Sequence, residues 1–319
     1  MIHAAPRAIL LALAALAPQL ASPLGATDAP VLRMEPVADG AYAFIGEQTG
    51  FTSGNAGNMA NAGFIVTRDG VVVIDTGLTR QIGEAMLAAI ASVTAAPVRL
   101  VLNTHFHPDH TFGNGAFAAR GIAIQSTPAA RDRLAAEGAA LLENVRGLIG
   151  PGAEGTALVL PEPAIATERT LEIGGHRLAL LLFGPAHTEG DLAVLDETTG
   201  VLFAGDLVFH ESAPATPNAD LAGWPRALER LQRLPWTRLV PGHGPVLTDP
   251  ARLRVLMDYL AWLPAAIDAA VRRGDDMNDL LSQPIPAPFD ALALSRWQFQ
   301  RSVLRFFPEH ESRFFGNEH

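Results

Sequence analysis

The 319 residues suit one large domain or two small ones, and a composition of 49% hydrophobic and 18% charged residues excludes a disordered chain. The 33 acidic and 23 basic residues give a formal net charge of −10 at pH 7, so the surface repels phosphate and no nucleic-acid partner is expected. All 23 basic residues are arginines and cysteine is absent, which excludes lysine nucleophiles, disulfides and thiolate ligands and leaves His, Asp or Glu to hold any metal.

The N-terminus has the pattern of a secretory signal. Arg7 is the only formal charge in the first 27 residues, and it precedes an apolar run over residues 8–17 and small residues through Ala26. The run is about half as long as the roughly 20 residues that cross a bilayer, and a buried core helix is the alternative interpretation. The sequence predicts a cleaved signal peptide over residues 1–26 and an exported, periplasmic protein with no membrane span.

The predicted elements alternate between strands and helices. Apolar and β-branched runs predict strands over 62–67, 71–74, 98–102 and 238–240, and two hairpins over 171–183 and 191–202. Apolar residues at helical spacing predict helices over 79–93, 127–148 and 224–234, and a final helix over 290–307 that ends at Pro308. Two strand-rich halves, each with flanking helices, favour an α/β fold in which two sheets pack together with helices outside.

Three histidines and one aspartate lie close together after the strand over 98–102: His105, His107, Asp109 and His110. His105 and His107 share a face in an extended segment but point apart on a helix, so we expect them in a loop. Pro108 fixes the backbone between the two halves of the motif, so that Asp109 and His110 point in a second direction. This spacing of ligand types indicates a metal site.

Three further candidates follow later apolar runs, each near a glycine. They are His187, Asp206 and His243. Each of them alone is more often a satisfied loop or core residue. Their recurrence in sequence order at predicted strand ends, where glycine lets the backbone approach a site closely, favours one metal centre shared with the first four residues.

These seven residues resemble the ligand set of the metallo-β-lactamase superfamily, and the similarity covers roughly residues 40–250. The segment Asp75-Thr76-Gly77 resembles the first motif of that superfamily. The resemblance implies an αββα metallo-β-lactamase-type four-layer sandwich over residues 27–250. It also implies a helical C-terminal extension over residues 251–319 that packs on the sandwich.

The same resemblance implies two zinc ions per chain, with iron or manganese as alternative metals. The first zinc would be held by His105, His107 and His187. The second would be held by Asp109, His110 and His243, and Asp206 would bridge the two ions. Asp75 is interpreted as a hydrogen-bond partner of a ligand histidine, the alternative being a turn residue at a strand end.

The implied centre favours hydrolysis. Two Zn²⁺ ions carry a charge of about +4, from which Asp109, Asp206 and a bridging hydroxide remove three, so the core keeps about +1 and suits a developing oxyanion. We expect the hydroxide to attack the carbonyl of a small-molecule ester, thioester or lactam-like substrate. Asp109 and Asp206 are the expected catalytic residues, with Asp109 orienting the hydroxide.

A narrower resemblance is to the zinc metallohydrolases of quinoprotein relay systems. It rests on the segments 61–66, 104–114, 205–209 and 240–245. Those exported proteins are associated with pyrroloquinoline-quinone-dependent (PQQ-dependent) dehydrogenases, which implies a quinoprotein dehydrogenase system as a partner. The alternatives that remain open are a β-lactamase, a glyoxalase II-like thioesterase, an iron dioxygenase and a non-hydrolytic metal-binding accessory protein.

Three regions outside the ligand set have two interpretations each. The loop over 49–61 lies over the pocket or is a plain hairpin connection. His210 either reaches the rim of the pocket or is an exposed loop residue. The second interpretation is favoured, because histidines in loops are more often exposed. Four aromatic residues of the tail are expected to pack against the sandwich rather than to form a substrate box: Trp297, Phe299, Phe306 and Phe307.

Overall fold

The computed structural model describes residues 30–316, so the predicted signal peptide over residues 1–26 lies outside the described part of the chain. The strands are β1 Arg33–Ala38, β2 Ala41–Ile45, β3 Ala62–Thr67, β4 Gly70–Ile74, β5 Val98–Leu102, β6 Ala123–Gln125, β7 Arg169–Ile173, β8 His176–Phe183, β9 Asp191–Asp196, β10 Val201–Phe209 and β11 Arg238–His243. The helices are α1 Arg80–Val93, α2 Pro108–Thr111, α3 Asn114–Ala118, α4 Pro128–Ile149, α5 Gly223–Gln232, α6 Arg254–Arg273, α7 Met277–Ser282, α8 Ala287–Asp290 and α9 Ser295–Phe315.

The strands form two mixed sheets. The first has the order β1-β2-β3-β4-β5-β6, in which β4, β5 and β6 run parallel and the other neighbours antiparallel. The second has the order β11-β10-β9-β8-β7, in which β10 and β11 run parallel. Parallel neighbours need a crossover, and α1 and α5 lie in the connections between β4 and β5 and between β10 and β11. The two mixed sheets confirm the prediction.

Three buried apolar clusters fill the gaps between four layers. β4 contributes to two of them, because Val71 and Val73 pack with α1 and α4 whereas Val72 and Ile74 face the second sheet. The outer face of the second sheet packs against α5 and α6 through a third cluster, which includes Trp224. The order of layers is therefore helix, sheet, sheet, helix, and the predicted αββα fold is confirmed.

Helices α6 to α9 form a C-terminal helical region that packs on the sandwich. α6 contributes Leu256 and Leu260 to the cluster beneath the second sheet. Elsewhere along α6, Tyr259 packs against α9, where Phe299 and Val303 are buried. Among residues 30–316, no helix is both long enough and apolar enough to cross a membrane.

The final helix is longer than predicted. α9 continues to Phe315 with Pro308 in its interior, whereas the sequence predicted that it ends at Pro308. An interior proline costs about 3 kcal/mol or more, because it removes a backbone donor and crowds the preceding turn. Phe306 and Phe307 before the proline and His310 after it are all buried, and this packing on both sides offsets the cost. Phe306 and Phe307 are buried, but they pack among the C-terminal helices and not, as the sequence predicted, against the sandwich.

Replacing Leu260 by Ala tests whether the C-terminal helices and the sandwich unfold together. Leu260 is 1% exposed in the core that α6 shares with the second sheet. We expect its truncation to lower the free energy of unfolding by about 2–5 kcal/mol, because it leaves a cavity in that shared core. The measurement is urea unfolding followed by circular dichroism. Val255→Ala, at a position on the same helix that is 40% exposed, is the control and should change stability by less than about 1 kcal/mol. A separate early transition in Leu260→Ala would show that the two parts are independent.

Candidate metal centre

The seven predicted ligands converge at one edge of the sandwich. They are carried by the loop after β5 and by α2 (His105, His107, Asp109 and His110), by the loop after β8 (His187), and by β10 and β11 (Asp206 and His243). The strands β10 and β11 extend further than predicted, so Asp206 lies within a strand and His243 is the last residue of one. The carboxyl ends of parallel strands meet at the same edge of a sheet, which explains why distant segments supply one site.

The first cluster consists of three imidazole nitrogens and one carboxylate oxygen. His107 Nδ1 lies 3.1 Å from His105 Nε2 and 3.0 Å from His187 Nε2. The Oδ2 atom of Asp206 lies 3.3 Å from His187 Nε2 and 3.7 Å from His105 Nε2. Ligands at 2.0–2.1 Å from a tetrahedral zinc are about 3.3 Å apart. The cluster has the spacing of a tetrahedral metal site.

The second cluster lies on the other side of the same carboxylate. His243 Nε2 is 3.4 Å from Asp109 Oδ2, and His110 Nε2 is 3.9 Å from that oxygen. The Oδ1 atom of Asp206 is 3.1 Å from His110 Nε2 and 3.3 Å from His243 Nε2. One oxygen of Asp206 thus faces each cluster, which is the geometry of a carboxylate that bridges two ions.

Two buried atoms between the clusters lack hydrogen-bond partners. His110 Nε2 and Asp206 Oδ1 are shielded from solvent and, although close, do not meet with hydrogen-bond geometry. Within each cluster the ligand atoms lie within 4.8 Å of one another. Buried polar atoms normally find a partner, and these atoms instead point to common positions that a metal ion would fill. The seven residues therefore fit a dinuclear metal site.

Asp75 lies directly beneath the second cluster. Its Oδ2 atom is 2.8 Å from His110 Nδ1 and also accepts a hydrogen bond from the Thr104 hydroxyl, while its Oδ1 atom accepts one from the Thr104 backbone N–H. Its backbone adopts φ 60°, a left-handed conformation that costs a non-glycine residue about 1–3 kcal/mol. The structure thus places Asp75 where it orients His110, as the sequence analysis interpreted it.

Three other ligand histidines have outer partners that were not predicted. His107 Nε2 lies 3.0 Å from Asn218 Oδ1, His243 Nδ1 lies 3.0 Å from the Met59 carbonyl, and His105 Nδ1 lies 3.0 Å from the Thr104 hydroxyl. A hydrogen bond on one ring nitrogen fixes the tautomer and leaves the other nitrogen free for a metal. No local pattern marks Asn218, because its role depends on the path of the loop between β10 and α5.

The charge environment divides the ligand histidines into two groups. Burial lowers the pKa of His105 and lowers the pKa of His187 to about 3, so both imidazoles are neutral and ready to bind a metal. Burial also lowers the pKa of His110 and His243, but the neighbouring carboxylates together outweigh it. Asp206, Asp75 and Asp109 raise the pKa of His110 well above its usual value, and Asp206 and Asp109 raise the pKa of His243 to about 9.

A cavity of about 280 Å³ opens above the ligands. Its wall is mostly apolar and includes Phe51 and Met59, so the loop over 49–61 lies against the pocket. Trp297 also lines the cavity and is 40% exposed, so the prediction that it packs against the sandwich was wrong. His210 does not line this cavity, and its Nδ1 lies 2.9 Å from the Pro245 carbonyl.

The fold and the paired clusters define a class of metal-binding hydrolytic proteins. Sequence comparison identifies the superfamily to which the chain belongs. The sequence profile of the metallo-β-lactamase superfamily matches residues 56–243, and the chain belongs to that superfamily. Metallo-β-lactamase IND-1 of Chryseobacterium indologenes is 25% identical over 189 residues, which cover 58% of this chain and 71% of that protein. A hydroxyacylglutathione hydrolase of Hyphomonas neptunium is 23% identical over 245 residues, which cover 71% of this chain and 84% of that protein.

A solved structure has the same fold. The metallo-β-lactamase from Pontibacter korlensis superposes with a TM-score of 0.60 at 24% identity, covering 72% of this chain and 99% of its own. The helical C-terminal region of the present chain lies beyond the residues that match the superfamily profile. The protein is a hydrolase of the metallo-β-lactamase superfamily.

Loading the metal-free protein with Zn²⁺ at pH 7 is expected to release at least about two protons per chain, one each from His110 and His243, and a metal-bound water that ionises adds to this release. His243, with a pKa of about 9, and His110, with a raised pKa, carry protons at pH 7, whereas His187, with a pKa of about 3, does not. Because protons compete with the metal, affinity at the second cluster should increase as pH rises toward 9. Calorimetry in buffers of different ionisation enthalpy measures the release, and heats that are independent of buffer would contradict the prediction.

Replacing Asn218 by Ala should weaken metal binding at the first cluster by about 10- to 100-fold, because His107 loses the partner that fixes its ring. Asn218→Asp keeps an acceptor and should retain most of the affinity. Competition with a chromogenic chelator measures the affinity. Asn144→Ala, at another cavity-lining asparagine that contacts no ligand histidine, is the control. Equal affinities in Asn218→Ala and Asn144→Ala would show that Asn218 does not position His107.

Proposed function

We propose that the protein is an exported hydrolase with two zinc ions that cleaves the acyl bond of an ester, thioester or lactam-like substrate. The observation that carries the proposal is the placement of Asp206, whose two carboxylate oxygens face separate ligand clusters beneath an apolar cavity. A donor set of imidazole and carboxylate at tetrahedral spacing suits zinc, and iron or manganese are the alternative metals.

The side chains of the site have different roles in the proposed hydrolysis. Bound metal ions supply a water of lowered pKa and polarise a substrate carbonyl. Asp109 lines the cavity, and His110 and His243 overcome the effect of burial and hold the pKa of Asp109 at about 2. An ionised Asp109 accepts a hydrogen bond from an attacking water and orients it toward the carbonyl. Asp206 contacts both ligand clusters and fixes their positions relative to each other.

Thioester or ester hydrolysis is favoured over lactam hydrolysis. The similarity to a hydroxyacylglutathione hydrolase covers 84% of that protein. One lactamase subclass has a cysteine ligand at the position of Asp206. In this chain Asp206 supplies oxygen instead, so all the ligand atoms are oxygen or nitrogen, which argues against that subclass. β-Lactam hydrolysis is the second candidate, because a metallo-β-lactamase is among the relatives. An iron dioxygenase needs a single metal, and the complete second cluster argues against it.

We also propose that the chain is exported and serves a quinoprotein dehydrogenase system. The support is the charge and apolar run at residues 7–17 and the sequence resemblance over residues 104–114 and 205–209. N-terminal sequencing of the protein from a periplasmic fraction tests export, and an intact N-terminus in the cytoplasm would contradict it. Co-purification with a dehydrogenase, without turnover of any ester, would indicate an accessory role instead of catalysis.

His107→Ala and Asp206→Ala should each lower kcat/KM by at least about 100-fold, because partners of metal ligands alone are worth 10- to 100-fold. The assay is metal analysis of the mature protein with a chromogenic panel: a cephalosporin, a thioester, a lactone and a phosphodiester. The control is His176→Gln, in a hairpin pair with Asp196 away from the site. Turnover of one class with two zinc ions supports the proposal, and unchanged turnover in His107→Ala would falsify the assigned site.

A further inference from the structure

The C-terminal helix α9 forms one wall of the cavity above the metal ligands. Leu294, at the start of α9, and Trp297, Gln298 and Arg301 line the cavity. Residues three and four apart share one face of a helix, so these four side chains form a continuous strip. α9 lies outside residues 56–243, the part of the chain that matches the superfamily profile. This wall is therefore built by a part of the chain that the superfamily profile does not match.

Arg301 is the one arginine among the cavity-lining residues that the structure describes. Its guanidinium stacks over the Trp297 ring at 4.7 Å, and its Nη1 donates a hydrogen bond to Gln298 Oε1 at 3.1 Å. Within residues 30–316 it forms no ion pair with a carboxylate. Burial lowers the pKa of Arg301 while the Asp109 charge opposes that shift, and an arginine stays cationic over the physiological range.

Two neighbouring arginines of α9 form hydrogen bonds to other segments of the chain and do not line the cavity. Arg296 donates to the carbonyls of Leu281 and Gln283, and Arg305 donates to the Pro217 carbonyl and pairs with Glu309. Those contacts join α9 to the rest of the chain. Arg301 instead lines the cavity, whose wall is mostly apolar but also includes the carboxylates of Asp109 and Glu137. A largely buried guanidinium that has no direct ion pair is costly, and a ligand that supplies the opposite charge at contact distance offsets that cost.

We propose that Arg301, held flat against Trp297, binds a carboxylate group of the substrate. A guanidinium matches a carboxylate with two parallel hydrogen bonds, and stacking on an aromatic ring fixes its plane in advance. The inference rests on the proposed function and narrows it. The substrate class is a small acyl compound with an apolar body and a carboxylate at a distance from the bond that is cleaved.

The test compares two esters that differ only at the far end of the acyl chain. They are 4-nitrophenyl hydrogen adipate, which ends in a carboxylate, and the corresponding ω-carboxamide ester. The wild-type zinc enzyme should prefer the carboxylate ester. In Arg301→Gln the ratio of kcat/KM for carboxylate over carboxamide should fall by about 10- to 100-fold, mainly through KM, because one charge-assisted contact is lost. Arg301→Lys should keep part of the preference.

Arg296→Gln is the matched control, because it removes the same charge from the same helix outside the cavity lining. It should leave the ratio unchanged. If Arg301→Gln lowers activity on both esters equally, its role is structural and the inference is overturned. If Arg296→Gln lowers the ratio as much, the effect is general electrostatics and the inference is overturned as well.

A binding experiment separates this inference from the proposed function. Calorimetry with 3-phenylpropionate and 3-phenylpropionamide on the zinc-loaded protein measures carboxylate recognition without turnover. Tighter binding of the carboxylate that is lost in Arg301→Gln, together with no hydrolysis of either ester, would sustain the inference and reject the hydrolase proposal. Equal affinity of 3-phenylpropionate for wild type and Arg301→Gln would mean that the metal alone holds the carboxylate, which overturns the inference.

Discussion

The buried carboxylate of Asp206 is the constraint on which the rest of the site depends. An ionised carboxylate that is 3% exposed costs several kcal/mol unless opposite charges surround it. Against burial, the protonated His243 and His110 hold the pKa of Asp206 far below its usual value, so this carboxylate remains charged in the absence of metal. The backbone must pass close to the Asp206 carboxylate to bring these histidines into contact with it. A Cβ atom at Gly242 would lie 1.9 Å from Asp206 Oδ1, so only glycine fits there.

The two sheets reach this carboxylate from different sides, and the packing between them sets the spacing of the ligands. β10 carries Asp206 from the second sheet, while the loop after β5 brings the histidines of the first. Asp75 joins β4 to that loop through Thr104 and His110 and keeps a strained backbone conformation. Such strain persists only where surrounding contacts outweigh it. The ligand positions are therefore properties of the packed sandwich more than of any single loop.

The parts of the structure that the sequence could predict are those in which chemistry or periodicity is local. A short run such as His105 to His110 specifies ligand type and spacing by itself, and the unbroken β-branched run Val71–Ile74 indicates a strand buried on both faces. Strand β1 went unpredicted because charged residues and a proline interrupt its apolar residues, and β2 because its apolar run is only five residues long and includes two alanines, which are depleted in strands. The sequence did not identify Asn218 and Arg301 as site residues, and it predicted that Trp297 packs against the sandwich. The roles of these three residues depend on where α9 and its neighbouring loop lie in three dimensions.

The C-terminal helices serve the metal centre as well as the cavity. Ser302 on α9 hydrogen-bonds to Thr216 at 2.7 Å, and Arg305 donates to the Pro217 carbonyl. These contacts fix the loop that brings Asn218 to His107. A displacement of α9 would therefore change both the wall that meets the substrate and the ring that holds a metal. The sandwich supplies a hydrolytic centre shared by a superfamily of varied substrates. Because α9 contacts the loop that carries Asn218, the wall of the cavity and the orientation of the His107 ring depend on the same packing contacts.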